Sequence, residues 1–288
     1  MNILLTGGCG FVGSHLVDKL VQKNNVIVLD KQKPSFKNKE AEYILGDLRN
    51  ASDVQKAFKQ IDMVFHLAAL IDVENSFSNP VEYANNNILG TINLLRCCDC
   101  PFIFVSSAAA YGIPSELPLT ETALLNPISP YGASKVSGEY FTRMFAHQNN
   151  FHFTIVRPFN IYGPRQNPSN PYSGVISKFI ARKKGNRPLI IFGSGEQTRD
   201  FIHVYDVVSF LSCLIKKKLP NETFNVGTGV ETSVNDLALL ISPNVKHVEK
   251  RKGDIFRSVA DISKATNLLK WKPAIELKDG IKEMMQRG

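Results

Sequence analysis

No run in this sequence approaches the ~20 consecutive apolar residues that a membrane-spanning helix requires, so no membrane partner is expected. Tryptophan occurs once in 288 residues, and no repeat or low-complexity tract interrupts the chain. Charged residues make up 21% and hydrophobic residues 43%, which excludes disordered, collagenous and coiled-coil classes. Cysteine is sparse and odd in number: Cys9, Cys97, Cys98, Cys100 and Cys213. The cluster at 97–100 suits no disulfide scaffold, and no CxxC or paired-histidine ligand pattern accompanies it. The expectation is reduced thiols and no metal site. The opening residues Met1 to Thr6 carry neither a basic region nor a cleavage motif, so no secretory leader is expected and the cytoplasm is the expected location.

What the chain has in excess is positive charge, 34 Lys+Arg against 26 Asp+Glu for a net +8. The basic residues are scattered and carry no aromatic–basic stripe, which argues against a nucleic-acid partner. An anionic small molecule fits better.

Short apolar runs alternate with helix-like stretches through the first half. Asn2–Thr6, Val26–Asp30, Tyr43–Gly46, Met63–Leu67, Phe102–Ser106 and Phe153–Phe159 read as strands. Gly13–Val21, Ala51–Lys59, Pro80–Arg96 and Tyr131–Gln148 read as helices. That alternation predicts an α/β fold, a doubly wound (Rossmann) parallel sheet covered by helices. After Gly163 prolines and short mixed elements replace the pattern. The expected division is a dinucleotide-binding domain over 1–165, rejoined around 200–227, and a smaller mixed α/β substrate-binding lobe over 166–288.

Between the first strand and first helix lies Thr6-Gly7-Gly8-Cys9-Gly10-Phe11-Val12-Gly13. It fits Gly-x-Gly-x-x-Gly through Gly8, Gly10 and Gly13, and equally Gly-x-x-Gly-x-x-Gly through Gly7, Gly10 and Gly13. Glycines there let a pyrophosphate reach the helix N-terminus, where N–H groups and the dipole favour negative charge. Asp30 ends the second strand, placed for the hydroxyls of an adenosine ribose, which favours NAD over its 2′-phosphorylated form. Asp47 and Leu48 after the third strand, and Leu67, Ala68 and Ala69 after the fourth, match further nucleotide contacts. His66 reads as a packed or capping histidine.

Tyr131 and Lys135 stand four apart, on one face of a helix. A phenol has a pKa near 10, so acting as a base at neutral pH requires stabilised phenolate; an ammonium and a cationic nicotinamide ring would supply it. Ser106 and Ser107 end the fifth strand, where open α/β sheets bind ligands. A hydroxyl at Ser107 there shares a proton with the tyrosine.

With these segments in place, the chain resembles the extended short-chain dehydrogenase/reductases of the NAD-dependent epimerase/dehydratase family, most of all its UDP-glucose 4-epimerases. TGGCGFVG, DLRN, HLAA, SSAAAYG, PYGASK, RPFNIYGPRQ, GEQTRDFIHVYDVV, NVGTG and KRKGD occur in the family's order across nearly the whole chain. The resemblance implies an NAD cofactor, with Gly7, Gly10, Phe11, Val12, Gly13, Asp30, Asp47, Leu48, Leu67, Ala68, Ala69, Asn87, Tyr131, Lys135 and Pro158 around it. It implies Ser107, Tyr131 and Lys135 as catalytic residues inverting C4 of a UDP-hexose through a 4-keto intermediate. It assigns the substrate to Ser107, Asn160, Phe192, Arg199, Arg251, Asp254 and Ser258. It also implies a homodimer through the helices at 80–96 and 131–148, with Leu89, Ile92, Phe141, Met144 and Phe145 as apolar contacts.

The family's dehydratases carry an acid pair just after the catalytic hydroxyl, and its decarboxylases a glutamate. Here Ala108 and Ala109 stand there, which disfavours lyase chemistry. A serine at Ser258, where a bulky residue is associated with exclusion of N-acetylated sugars, implies room for an acetamido group. An epimerase acting on another nucleotide sugar, such as UDP-glucuronate, and a non-catalytic NAD-binding regulator are the alternatives. The intact Ser107, Tyr131 and Lys135 argue against the regulator.

Overall fold

The computed structural model describes residues 1–167, 174–217, 221–250 and 255–286. The β-branched and aromatic runs form β1 (Asn2–Thr6), β2 (Asn25–Asp30), β3 (Glu42–Leu45), β4 (Met63–His66), β5 (Phe102–Val105) and β6 (Phe153–Pro158). Their pairings are all parallel. Later come β7 (Asn160–Tyr162), β8 (Leu189–Phe192), β9 (Thr198–Arg199), β10 (Phe201–His203), β11 (Glu222–Val226), β12 (Thr232–Ser233) and β13 (Val245–Val248). The main sheet runs β11-β6-β5-β4-β1-β2-β3. The order reverses between β1 and β4, which defines the doubly wound fold. Its ligand crevice lies at the carboxyl ends of those strands. β4, β5 and β6 are buried at every position, as strands covered on both faces must be.

Two compact units emerge. The first comprises Met1–Gly112, Leu124–Arg157 and Val208–Phe224; the second comprises Ile113–Ala123, Pro158–Val207 and Asn225–Gly288. In the first, α1 (Phe11–Leu20) follows β1 and α2 (Ala51–Ala57) follows β3. α2 is capped by Asn50, whose side chain accepts from Ser52 N–H. Next come α3 (Val73–Ser78), α4 (Pro80–Tyr83), a π-helical turn (Ala84–Leu89) and α5 (Gly90–Leu95). The single helix expected over 80–96 is thus broken by an i→i+5 segment. Such π-turns mark places where side chains are re-aimed. α6 (Pro130–Asn149) is the long helix, capped by Ser129, which accepts from Gly132 N–H at 3.0 Å, with Pro130 at its first position. Leu4, Leu29, Val64, Leu94, Phe102, Phe104 and Ile155 centre the core.

The second unit contains three two-stranded sheets among the described residues, β10-β7, β12-β9 and β13-β8. A separate core gathers Tyr162, Phe179, Leu189, Phe201, Leu237 and Ile281. Ile113–Ala123 joins this unit through Leu119, which donates to Val259 O at 2.9 Å and accepts from the Asn225 side chain at 2.8 Å. Among the described residues no helix is long and apolar enough to cross a membrane, and no cluster of metal-ligating side chains occurs.

Candidate active site

The glycine loop resolves the ambiguity of its two registers. Gly7 has φ +77°, and a Cβ there would lie 2.6 Å from Ala68 N, so no other residue fits without strain. At Gly13 a Cβ would stand 2.1 Å from Gly7 O. Gly8 is closed to a side chain as well, since a Cβ there would stand 2.6 Å from Val28 Cγ1, but of the loop's glycines Gly7 alone has a positive φ, which favours the reading through Gly7, Gly10 and Gly13. Gly10 is exposed and caps α1 with no side chain. A Cβ there would approach only Gly7 O, at 3.2 Å. The mouth of the loop is open, uncapped and free of acidic side chains in the first turn. These features fit a dinucleotide's pyrophosphate.

Asp30 sits at the end of β2. Its two oxygens accept from Cys9 N–H and Gln32 N–H, each at 3.0 Å, which fixes the carboxylate at the loop's rim. The Cys9 thiol is pushed up to about 12 by burial and by Asp30, so it stays protonated. Leu48 is buried and Leu67, Ala68 and Ala69 half-buried beside the loop. Asp47 is tied to its neighbour. Its carboxylate is gripped by Arg49 through Nε at 3.0 and 3.1 Å and Nη2 at 2.6 Å, and that pairing lowers its pKa. Phe11 and Val12 are half-buried in the first turn of α1, and Pro158, buried, ends β6.

Ser107 follows β5 in extended backbone and starts a 3-10 turn, Ala108–Ala110. Its Oγ accepts from Ala109 N–H at 3.1 Å, leaving its own proton to donate. The Ser107 side chain faces the Tyr131 phenol and acts to lower its pKa. Burial opposes this more strongly, and with Tyr83 nearby it pushes the phenol up to about 12. The acidified phenol expected from Lys135 is therefore not a property of the protein alone. The lysine's Nζ instead donates to Val105 O at 2.9 Å and stands 5.3 Å from the Phe104 ring centroid. Burial pushes Lys135 down to about 8, against the pull of Glu139.

Asn87 lies in the π-turn and is buried. Its Oδ1 accepts from Leu70 N–H at 2.8 Å, and its Nδ2 donates to Leu70 O and to Ser134 Oγ, both at 2.9 Å. Ser134 in turn donates to Tyr131 O at 2.7 Å. His66 is packed, as read. Thr91 donates to Asn87 O at 2.6 Å, so it must accept from His66 Nε2–H at 2.8 Å. Thr6 then donates to His66 Nδ1 at 2.7 Å. Burial, with Lys135 nearby, lowers this imidazole to about 3, and it is neutral throughout the working range. Composition alone does not signal these links, because those of Asn87 depend on the π-turn and that of Thr6 to His66 crosses from β1 to β4.

In the second unit Asn160 donates its Nδ2 to Asp200 O at 3.0 Å. Phe192 ends β8 and lines a small recess with Gly193, Ser194, Gln197, Lys250 and Phe256. Arg199 lies half-buried in β9, its Nη1 donating to Thr198 O. Ser258 is buried. Arg251 and Asp254 lie outside the described residues. Asp200, missed in the sequence, organises this region. Its carboxylate accepts from Thr228 N–H and Oγ–H at 2.7 Å, Gly229 N–H at 3.0 Å and Ala260 N–H at 3.2 Å.

Of the helix residues read as a dimer face, Leu89 and Met144 are exposed and Ile92 half-buried, while Phe141 and Phe145 pack on the core.

The model of the NAD dependent epimerase/dehydratase family matches residues 3–227. Three solved structures superpose over almost the whole chain. UDP-glucose 4-epimerase of Thermotoga maritima, solved with UDP-glucose, has a TM-score of 0.95 at 36% identity, covering 99% of this chain and 98% of its own. UDP-N-acetylglucosamine 4-epimerase of Methanobrevibacter ruminantium, in complex with UDP-N-acetylmuramic acid, has 0.92 at 34%, covering 100% and 99%. UDP-glucuronic acid 4-epimerase of Bacillus cereus, in complex with UDP-glucuronic acid and NAD, has 0.91 at 30%, covering 100% and 99%. The open glycine loop and the serine–tyrosine–lysine cluster are thus set in a chain that belongs to the NAD dependent epimerase/dehydratase family.

Proposed function

We propose that this protein is a nucleotide-sugar 4-epimerase that interconverts UDP-glucose and UDP-galactose, and accepts the N-acetylated pair as well. The observation that carries the reading is the gathering of Ser107, just past β5, with the buried Tyr131 and Lys135 of one helix face, Lys135 donating to Val105 O in the same strand end. Similarity to three UDP-sugar 4-epimerases supports it.

Gly7, Gly10, Phe11, Val12 and Gly13 hold the pyrophosphate of NAD. Asp30 takes the adenosine ribose, and Asp47, Leu48, Leu67, Ala68, Ala69, Asn87 and Pro158 border the rest. Bound NAD would supply the acceptor and donor of hydride for C4 and a positive charge that favours phenolate. Tyr131 as phenolate takes the proton of the sugar 4-hydroxyl and later returns it, as general base and then general acid. Ser107 donates to the phenolate and shares that proton. Lys135, held by Val105 O, adds positive charge on the phenol's side of the helix. The 4-keto sugar turns between the two half-reactions and regains hydrogen on its other face, so no net redox change accumulates. Asn160, Phe192, Arg199, Arg251, Asp254 and Ser258 hold the nucleotide and sugar; a guanidinium fork suits paired phosphate oxygens. Ala108 and Ala109 offer no acid for loss of a 6-hydroxyl.

A second copy of the chain covers the helical face where Phe77, Val81, Leu89, Tyr140 and Met144 are exposed; light scattering giving a dimer mass supports this, and a monomer at assay concentration removes it. For the reaction itself, purified protein with NAD is given UDP-galactose, UDP-N-acetylgalactosamine and UDP-glucuronate in separate assays. C4 epimers of the first two support the proposal. Turnover of UDP-glucuronate alone would reassign the sugar, and release of a 4-keto-6-deoxy sugar would overturn the reading.

A further inference from the structure

Tyr131, Lys135 and Glu139 recur every four residues on α6, so one helix face carries all three. All three are buried, Glu139 completely. Each meets one of three successive residues leaving β5. Lys135 donates to Val105 O at 2.9 Å. Glu139 Oε1 accepts from Ser106 Oγ–H at 2.7 Å. Tyr131 faces Ser107, whose side chain acts to lower the phenol's pKa. Behind this ladder, Arg157 forks onto Glu139 with Nε–Oε1 at 2.8 Å and Nη2–Oε2 at 2.7 Å. Arg143 reaches Oε2 at 3.2 Å, and Arg157 Nη1 donates to the Tyr111 hydroxyl at 2.9 Å.

A buried ion pair is a weak source of stability, because desolvation consumes most of its Coulomb attraction and apolar residues of like volume do as well. Its position beneath the three reacting side chains points to another use. We infer that Glu139 is a positioning residue: clamped by Arg157, its carboxylate anchors Ser106, and through it the hydroxyl of Ser107, and places a negative charge beside Lys135 that keeps the ammonium charged. The inference rests on the epimerase reading for its kinetic consequences, but not for its electrostatic one.

The groups facing Lys135 are few. His66 from β4 is neutral, Tyr131 is a protonated phenol in the protein alone, and Glu139 is the acid that raises the lysine's pKa. Arg157 and Arg143 face Glu139.

Two variants separate the two roles. Glu139→Gln/Arg157→Met removes the pair together, and Arg143, a third exposed, keeps water and Thr223 Oγ1 as partners. Ser106→Ala cuts the anchor and leaves the pair intact. Lys135 is titrated by NMR in [13C]lysine-labelled protein, assigned against Lys135→Met, and kcat and KM are followed against pH. In the double variant the Lys135 titration and the alkaline limb of kcat are expected to move down by about one pH unit or more. In Ser106→Ala kcat is expected to fall about tenfold or more, with KM and the alkaline limb in place. A folded double variant with an unmoved Lys135 titration overturns the charge role, and an unchanged kcat in Ser106→Ala overturns the anchoring role. If the wild-type protein turns over no nucleotide sugar, the proposed reaction fails while the Lys135 titration still decides the charge role.

Discussion

Glu139 in the first unit and Asp200 in the second are both withdrawn completely from water, yet they are held in opposite ways. Burial alone would raise both. At Glu139, Arg157's bond and charge, with Ser106 and Arg143, more than reverse that, and the carboxyl ends below its ordinary range. Asp200 meets backbone N–H groups and a threonine hydroxyl, all uncharged, and ends above its ordinary range. A buried carboxylate's titration thus follows the formal cation beside it more than the number of its hydrogen bonds. The uses differ accordingly. In the proposed reaction Glu139 works as a charge under the helix face that carries Tyr131 and Lys135. Asp200 works as an acceptor that gathers the Gly227-Thr228-Gly229 turn and Ala260 next to Arg199. Gly227 has no room for a side chain there, since a Cβ would stand 2.5 Å from Asp200 Oδ2.

The largest effect expected in the first unit is chemical. Tyr131→Phe removes the proton carrier and should lower kcat by about 10²–10⁴-fold, with NAD affinity little changed by fluorescence titration. Equal loss of both would mean that the tyrosine serves binding. Next is Arg157→Met, which strands a buried carboxylate and should cost about 3–5 kcal/mol in urea unfolding. Asp200→Asn, which turns an amide toward N–H donors, should cost less, about 1–3 kcal/mol. If the second loss equals or exceeds the first, the contrast between the two carboxylates is wrong.

Acid sharpens the same comparison. A carboxyl lowered in the folded state contributes stability that is full above its unfolded pKa and lost as pH falls through the folded value. Glu139 is such a group. A raised one does the reverse: the cost of its charge is relieved as pH falls through its folded value. Between neutrality and strong acid, Glu139→Gln/Arg157→Met should therefore flatten the decline of unfolding free energy, and Asp200→Asn should steepen it. Slopes shifting together would break the account. Narrowest in scope is Ser258→Tyr, expected to abolish turnover of the N-acetylated sugars and keep that of UDP-galactose; parallel loss of both would mean that Ser258 does not set sugar size.

Much of this was legible in the sequence because it is local. Strand runs, the glycine loop and the tyrosine–lysine spacing are written over a few residues each. The choice between two glycine registers was not, since it depends on the positive φ of Gly7. The π-turn at 84–89 hides inside a continuous helical pattern, and the bonds of its Asn87 to Leu70 and Ser134 are made with residues far away in the sequence. The pairing of Asp47 with Arg49 two residues on is not marked by the motif that makes Asp47 read as a nucleotide contact. Nothing in composition marks Ile113–Ala123 as part of the second unit, because its ties to Asn225 and Val259 span more than a hundred residues. Glu139 was within reach: it repeats the spacing from Tyr131 to Lys135 once more.

The most direct test follows UDP-galactose deuterated at C4 through a single incubation with the protein and NAD. The account predicts UDP-glucose that retains the deuterium at C4, because the hydrogen removed is returned to the opposite face of the same sugar. Loss of the label to solvent, or accumulation of a keto sugar in place of the epimer, would contradict it.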